Sequence, residues 1–365
     1  MHLRFHHLTL ATAVTVATIL TTFSPAQAVV RFGSPNQKYM ASTGEYASIP
    51  FGRIAIDGAT VDGNGIPRGG NPAWPISPNW ALRANHAAAG RTGFDIVQNG
   101  VAHRVVESVN VAGTDLLLVR VEDPFSSFFN MYRGSDEIGK EMVVFGSSDP
   151  SKTTEVRTGT PSLFNGWNLG ATTEVPLQPG EVRNINWGRN TVTSFEMVGN
   201  TNTLYSTFDA PTLPGGALNP ASVGDDEAIV YTGDSGGGVF IEEAGEWRLA
   251  GIVFAVDAAY PTQASNQLLL GAIFDARNLW TDEPVDPAFP NGPKKRVQIT
   301  GDNPIPYGSY SSRISQYRSN IDTITKQTAG LGPIAVPESG TGQLALLGMG
   351  CGVFGLLAAR RRQAT

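Results

Sequence analysis

A serine among glycines, a histidine among small residues and an aspartate heading an apolar run are the residues here whose types could do covalent chemistry. In Tyr231-Thr232-Gly233-Asp234-Ser235-Gly236-Gly237-Gly238, four nearby glycines permit strained backbone angles and close approach of a bound molecule to the main chain. The amide N–H groups of Gly233 and Ser235 could both point at a developing oxyanion. A serine hydroxyl needs a base to become a nucleophile. Of the five His, three (His2, His6, His7) lie in the first ten residues, which leaves His86 and His103, both upstream of Ser235. His86 ends Trp80-Ala81-Leu82-Arg83-Ala84-Asn85-His86, a short strand preceded by a turn and followed by Ala87-Ala88, so small neighbours leave room beside the ring. His103 lies in the alternating stretch Val101-Ala102-His103-Arg104-Val105-Val106, where a plain strand position is expected. The base needs a carboxylate to orient it. Asp115 leads into Leu116-Leu117-Leu118-Val119, at the mouth of a buried strand; Asp95 and Asp123 are rivals that head no such run. The chain order is His, Asp, Ser.

The elements that must position these residues read as short β-runs at 52–56, 101–106, 115–121, 141–145, 228–232, 238–242 and 247–256, separated by Gly, Pro, Asn and Asp clusters. Gly233-Asp234-Ser235-Gly236-Gly237 formally matches the G-x-S-x-G elbow of α/β-hydrolases. That elbow needs a helix after the serine, whereas Gly238-Val239-Phe240-Ile241-Glu242 reads as a strand, and no His follows Ser235. Asp62-Gly63-Asn64-Gly65 lacks the further acidic ligands of a calcium loop and reads as a hairpin turn. Ile314, Tyr317, Ile321 and Ile324 predict a helix over about 311–327, with Ser311 or Ser312 as N-cap. Residues 122–136 read as a linker between strand-rich halves at about 47–121 and 137–305, and 161–225 as an insertion rich in Asn, Thr and Gly.

The 365 residues are 41% hydrophobic and 16% charged, which excludes a disordered or coiled-coil chain, and 42 Gly with 24 Pro favour a turn-rich β protein. A net charge of −6 with no long basic run excludes nucleic acid as the expected partner. One cysteine, Cys351, leaves no intrachain disulfide, and neither a nucleotide-binding Gly loop nor a metal cluster is visible, so no cofactor and no metal are expected. Residues 1–28 read as a secretory signal: Arg4, an apolar stretch over 8–23, and the small-x-small site Ala26-Gln27-Ala28. Residues 29–46 form an N-terminal segment and 328–335 a second linker. At the other end Val336-Pro337-Glu338-Ser339 precedes an apolar span at 344–359 and then Arg360-Arg361-Arg362. With Arg4 in the leader and three Arg against Glu338 in the tail, the body 29–335 keeps a charge of −9. The tail 336–365 resembles the PEP-CTERM sorting signal of bacterial secreted proteins, with Ser339 where a second Pro is usual. That resemblance implies an exosortase-like processing enzyme as partner, and a secreted protein at the cell surface or outside after transient anchoring; a plain C-terminal anchor is the other reading.

The body resembles the chymotrypsin-like (trypsin-like) serine proteases. Residues 80–88 are similar to their His motif, 114–121 to their Asp strand, 233–238 to their Gly-Asp-Ser-Gly-Gly motif, Leu249-Ala250-Gly251-Ile252-Val253 to the strand beside the substrate cleft, and 312–324 to their closing helix. The likeness covers about 47–327. It implies an all-β fold of two six-stranded antiparallel β-barrels with a C-terminal α-helix, and an endopeptidase acting on protein or peptide substrates. In that reading Ser235 attacks the carbonyl, His86 moves the proton, Asp115 orients His86, and Gly233 and Ser235 give the oxyanion-hole N–H groups.

By the same resemblance Ile229 falls at the base of the primary pocket beside Thr232, and Phe254, Ala255 and Val256 form its wall, which implies cleavage after small or medium apolar residues. Arg83 and Asn85 replace the usual Thr and Ala, and Gly238 replaces the usual Pro. No internal cleavage site leading to an Ile-Val start is visible, and the sequence names no partner for Asp234. A catalytically silent binding module of the cell surface or matrix, or an esterase on the same scaffold, are the competing readings.

Overall fold

The computed structural model describes residues 29–33, 55–57, 60–61, 67–68, 72–87, 92–146, 152–169, 186–257, 260–261, 268–269, 271–286, 288 and 292–328. The expected leader 1–28, the expected sorting tail 336–365 and the expected turn Asp62-Gly63-Asn64-Gly65 lie outside the described residues.

Runs of Val, Leu, Ile and Ala in the first half pair into a closed six-stranded antiparallel barrel. Its order is Ala55–Asp57, Pro72–Ser77, Trp80–Ala84, Leu116–Val121, Val101–Asn110 and Asp95–Gln98. Residues 116–119 read as one continuous apolar run because both faces of the strand are covered there. Leu117 and Val119 pack with Ala81, Ile96 and Val105, while Leu116 and Leu118 join Leu82, Phe145, Phe240 and Ile252 in a cluster shared with the second half. Residues 122–136 cross between the halves and are anchored as they go: Phe125, Phe129 and Tyr132 are buried, and the Tyr132 N–H donates to the Leu249 carbonyl at 2.8 Å.

The second half is a seven-stranded antiparallel sheet, in the order Asn186–Thr191, Glu141–Gly146, Gly238–Glu243, Glu246–Val256, Gly308–Arg313, Thr201–Thr207 and Ser194–Val198. Six strands in a closed ladder are expected there. Instead the ladder stops where the chain turns at Val192-Thr193, and the two ends are tied by single bonds. The Thr193 N–H donates to the Tyr205 carbonyl at 2.8 Å, and the Asn190 amide donates to the Thr207 carbonyl at 2.8 Å. Ser194–Val198 is the extra strand, a hairpin partner of Thr201–Thr207. Two antiparallel β halves with a closing helix form an all-β architecture.

Residues 161–225 are not an insertion, since they supply three of those seven strands. The strands Asn-Trp-Gly-Arg-Asn-Thr and Thr-Asn-Thr-Leu-Tyr-Ser-Thr hide their β character because buried polar groups take positions where apolar ones are expected. Asn190, for example, satisfies two buried carbonyls, those of Thr207 and Ala228, at 2.8 Å each.

The helix spans Ile314–Thr328, with Ile314 and Ile321 buried in the shared cluster and Tyr317 and Ile324 against it, as the spacing predicts. Its expected N-caps are displaced. Ser311 and Ser312 lie in the strand Gly308–Arg313, opposite Val253 and Ile252, and the strand runs directly into the helix.

Residues 29–33 dock on the second half. Val30–Arg31 pairs with Ala228–Ile229, the Phe32 N–H donates to the Glu227 carbonyl at 2.7 Å, and the Phe32 ring meets Trp167 edge-on at 5.1 Å. The Glu227 side chain is fully buried. Burial pushes its carboxyl up to about 8, against the opposing pull of N–H donors from Val223 and Asp209. An ordinary glutamate ionises near about 4.3. Between those values the unfolded chain has lost a proton that the folded chain keeps, so this group's contribution to stability falls as pH rises and levels off above about 8. The expected result is that Glu227→Gln flattens part of the decline in urea midpoint between pH 5 and pH 8. Parallel curves for parent and variant would remove Glu227 from the account.

Candidate active site

Two neighbouring barrel strands bring His86 and Asp115 together. Ala84 pairs with Leu116, so the residues just beyond the ladder face each other, and the Asn85 N–H donates to the Asp115 carbonyl at 2.6 Å. Gly113 turns the chain with φ +71°, and Thr114 holds the turn: its hydroxyl donates to the Val111 carbonyl and accepts from the Leu116 N–H at 2.7 Å. Asp115 is thereby buried with both carboxylate oxygens committed. Oδ1 accepts the His86 backbone N–H at 2.9 Å, and Oδ2 lies 2.6 Å from His86 Nδ1. The other imidazole nitrogen, Nε2, is 2.7 Å from Ser235 Oγ. The His86 side chain is 38% exposed, so the line opens to solvent at its reacting end.

The rivals lie elsewhere. Asp95 pairs with Arg104 at 3.3 Å on the surface, and the Asp123 carbonyl lies 2.9 Å from Nδ1 of His103, a buried strand residue. Arg83 is buried with its guanidinium 5.1 Å from the Phe94 ring, and that burial pushes it down to about 10.

Ser235 sits on the turn that enters the strand Gly238–Glu243. Three of the five amides there are used: Asp234 N–H to the Tyr231 carbonyl, Gly236 N–H to the Val253 carbonyl, Gly237 N–H to the Asp234 carbonyl. Gly233 and Ser235 have no acceptor among the described residues, and Gly233 reaches its geometry at φ +99°, where a side chain would be strained. The two amides expected to meet an oxyanion are therefore the two left free.

Among the expected substrate-contacting residues, Phe254 lies with its ring 5.6 Å from that of His86, and Ala255 and Val256 continue its strand half-buried. Thr232 is exposed next to Gly233. Ile229 is placed differently: it pairs with Val30 and is buried among Phe208, Tyr231, Ile273 and Phe274, a packing position in the second half. No sequence signal foretells this, because it arises from docking of the N-terminal segment.

Trp74 is the residue that sequence reasoning misses. It is fully buried among Phe129, Phe145 and Phe240, and its Nε1–H donates to the Gly236 carbonyl at 2.6 Å, reaching from the first half to the residue after Ser235. It also accounts for Gly238, since a Cβ there would lie 2.7 Å from the indole. Trp74→Phe keeps the ring's bulk and removes the donor, so the turn loses one fixed point. If the turn serves catalysis, kcat is expected to fall by about 10- to 100-fold with little change in KM; equal loss in both would make Trp74 a packing residue alone.

No protein-family model matches the chain, and no curated protein does. Solved structures that do match include kallikrein-related peptidase 10, 12% identical with a TM-score of 0.39 over 78% of this chain and 100% of that one. The same peptidase in complex with Zn2+ matches at 11% identity, with the same TM-score and coverage. At that distance the roles of residues here rest on the geometry above.

Proposed function

We propose that this chain is an exported serine endopeptidase that works through Asp115, His86 and Ser235. The observation that carries the reading is the unbroken line from Asp115 Oδ2 through both imidazole nitrogens to Ser235 Oγ, ending beside two free amides. With a proton on Nδ1 donated to Asp115, Nε2 is an acceptor for the Ser235 hydroxyl. Ser235 Oγ attacks the substrate carbonyl as its proton passes to Nε2, and Asp115 stabilises the imidazolium. The oxyanion receives the N–H groups of Gly233 and Ser235. His86 then protonates the leaving amine, and water repeats the sequence on the acyl-enzyme.

In this reading the leader 1–28 directs export, and the tail 336–365 is a sorting segment for an exosortase-like enzyme. Phe254, Ala255 and Val256 give the substrate side an apolar wall. The nearby Asp257 carboxylate is taken by the hydroxyls of Tyr205 and Tyr310 and the Gly308 N–H, which supports preference for small or medium apolar residues before the cut. The test is treatment of the folded protein with a fluorophosphonate, mapping of the labelled peptide, and sequencing of casein fragments. A label on Ser235 and cuts after apolar residues are expected. A folded chain that neither labels nor cleaves casein would leave the binding-module reading in its place.

A further inference from the structure

The strand Glu246–Val256 breaks its pairing at Phe254. Val253 pairs with Ser311 and Ala255 with Tyr310, which are adjacent on the facing strand, so Phe254 is the extra residue of a β-bulge. A bulge re-aims the side chain it carries. Here the Phe254 ring meets the His86 imidazole at 5.6 Å between centres and 62° between planes. The backbone on either side of the bulge is tied down. The Gly236 N–H donates to the Val253 carbonyl at 3.0 Å, and the Val253 N–H donates to the Gly237 carbonyl at 2.7 Å, so the residue before Phe254 is fixed to the Ser235 turn. Beyond it, the Asp257 N–H donates to the Gly308 carbonyl at 3.0 Å, and its carboxylate accepts from the hydroxyls of Tyr205 and Tyr310. Phe254 and Ala255 also pack against the buried cluster of Val198, Tyr205 and Tyr310. His86 belongs to the first half and Phe254 to the second, so this ring contact crosses between them.

We propose that Phe254 is a positioning residue for His86, and that the bulge sets the imidazole plane from the serine side of the molecule. This rests on the protease reading above and gives Phe254 a second task besides lining the cleft. The side chain of His86 makes two polar contacts, from Nδ1 to Asp115 and from Nε2 to Ser235 Oγ. In the proposed mechanism the second is lost once Oγ is acylated. The ring is then hinged on its bond to Asp115, with 38% of the side chain open to water. A charged imidazolium gains from hydration, so such a ring tends to swing outward. The next steps need Nε2 back in line, first for the leaving amine and then for water, and a small misplacement there is costly. The Phe254 ring occupies one side of the imidazole, and its own position is set by the turn that carries Ser235. Base and nucleophile are thereby registered against each other by a contact that survives acylation.

The experiment compares Phe254→Leu, which keeps apolar bulk without a flat ring, and Phe254→Tyr, which keeps the ring, with the parent. Near-ultraviolet dichroism confirms that each is folded. On an apolar peptide ester, kcat of Phe254→Leu is expected to fall by about 10-fold with KM within about twofold of the parent, while Phe254→Tyr keeps the parent's kcat. The His86 Nδ1 proton, followed by NMR without substrate, should exchange with water faster in Phe254→Leu than in the other two. A Phe254→Leu enzyme with the parent's kcat and a raised KM would overturn the inference, making Phe254 a wall of the cleft alone and leaving the protease reading intact. Equal proton exchange in all three, or a Phe254→Tyr enzyme as slow as Phe254→Leu, would overturn it as well. A folded parent that hydrolyses neither the ester nor casein would remove the protease reading, and this inference with it.

Discussion

Ser235→Ala is expected to lower kcat for peptide hydrolysis by about 10⁶-fold, and adding His86→Ala to it should cost almost nothing more. In the proposed mechanism the two side chains act as one device, with Nε2 placed to take the proton of the Oγ 2.7 Å away. Asp115→Asn is the more informative member of the series. Asn can still accept the His86 backbone N–H through one oxygen, so the fold should survive. Its NH2 group then faces Nδ1, demands that nitrogen as an acceptor and moves the imidazole proton to Nε2, where no base is left for Ser235. A loss of about 10⁴-fold is expected. Steady-state kinetics of the three variants with one apolar peptide ester, alongside their melting temperatures, checks the series. Additive losses, or an Asp115→Asn enzyme within tenfold of the parent, would contradict the proton-transfer line.

Glu137→Ala is expected to destabilise the protein by about 3–5 kcal/mol, the usual cost of leaving one member of a buried ion pair alone. Glu137 is fully buried and takes two bonds from Arg313, at 2.9 Å and 2.8 Å, and one from the Ser315 hydroxyl. Arg313 also reaches the Ser135 carbonyl and lies 3.7 Å from the Phe195 ring centre. These contacts pin the crossing segment to the junction between the last strand and the helix. Removing the carboxylate strands a guanidinium where water cannot reach it. The double change Glu137→Leu with Arg313→Met replaces both charges by apolar groups and should recover most of the loss. Urea unfolding of the single and double variants decides it: a single-variant loss below about 1 kcal/mol would mean that water enters and solvates Arg313.

The candidate site is easier to read in the sequence than its scaffold. Ser235, His86 and Asp115 stand out because their neighbours are unusual in type: clustered glycines, small residues, a run of leucines. The strands around Val119, Phe240 and Ile252 were legible for the same reason, as apolar side chains repeat at strand spacing. Asn186–Thr191 and Thr201–Thr207 were not, since their buried positions hold Asn, Thr and Ser that are satisfied only by partners far along the chain. Trp74 lies between prolines in Pro72-Ala73-Trp74-Pro75, a sequence that suggests a turn, and its bond to Gly236 spans 162 positions. Ile229 was misplaced because its neighbour Val30 comes from a segment with no strand signal.

His86 and Asp115 belong to one half of the molecule and Ser235 to the other, and the cluster containing Trp74, Leu82, Phe145 and Phe240 is what keeps the halves in contact. With only one half folded, Ser235 has no imidazole beside it, so the line from Asp115 to Ser235 forms only once both halves have folded and met.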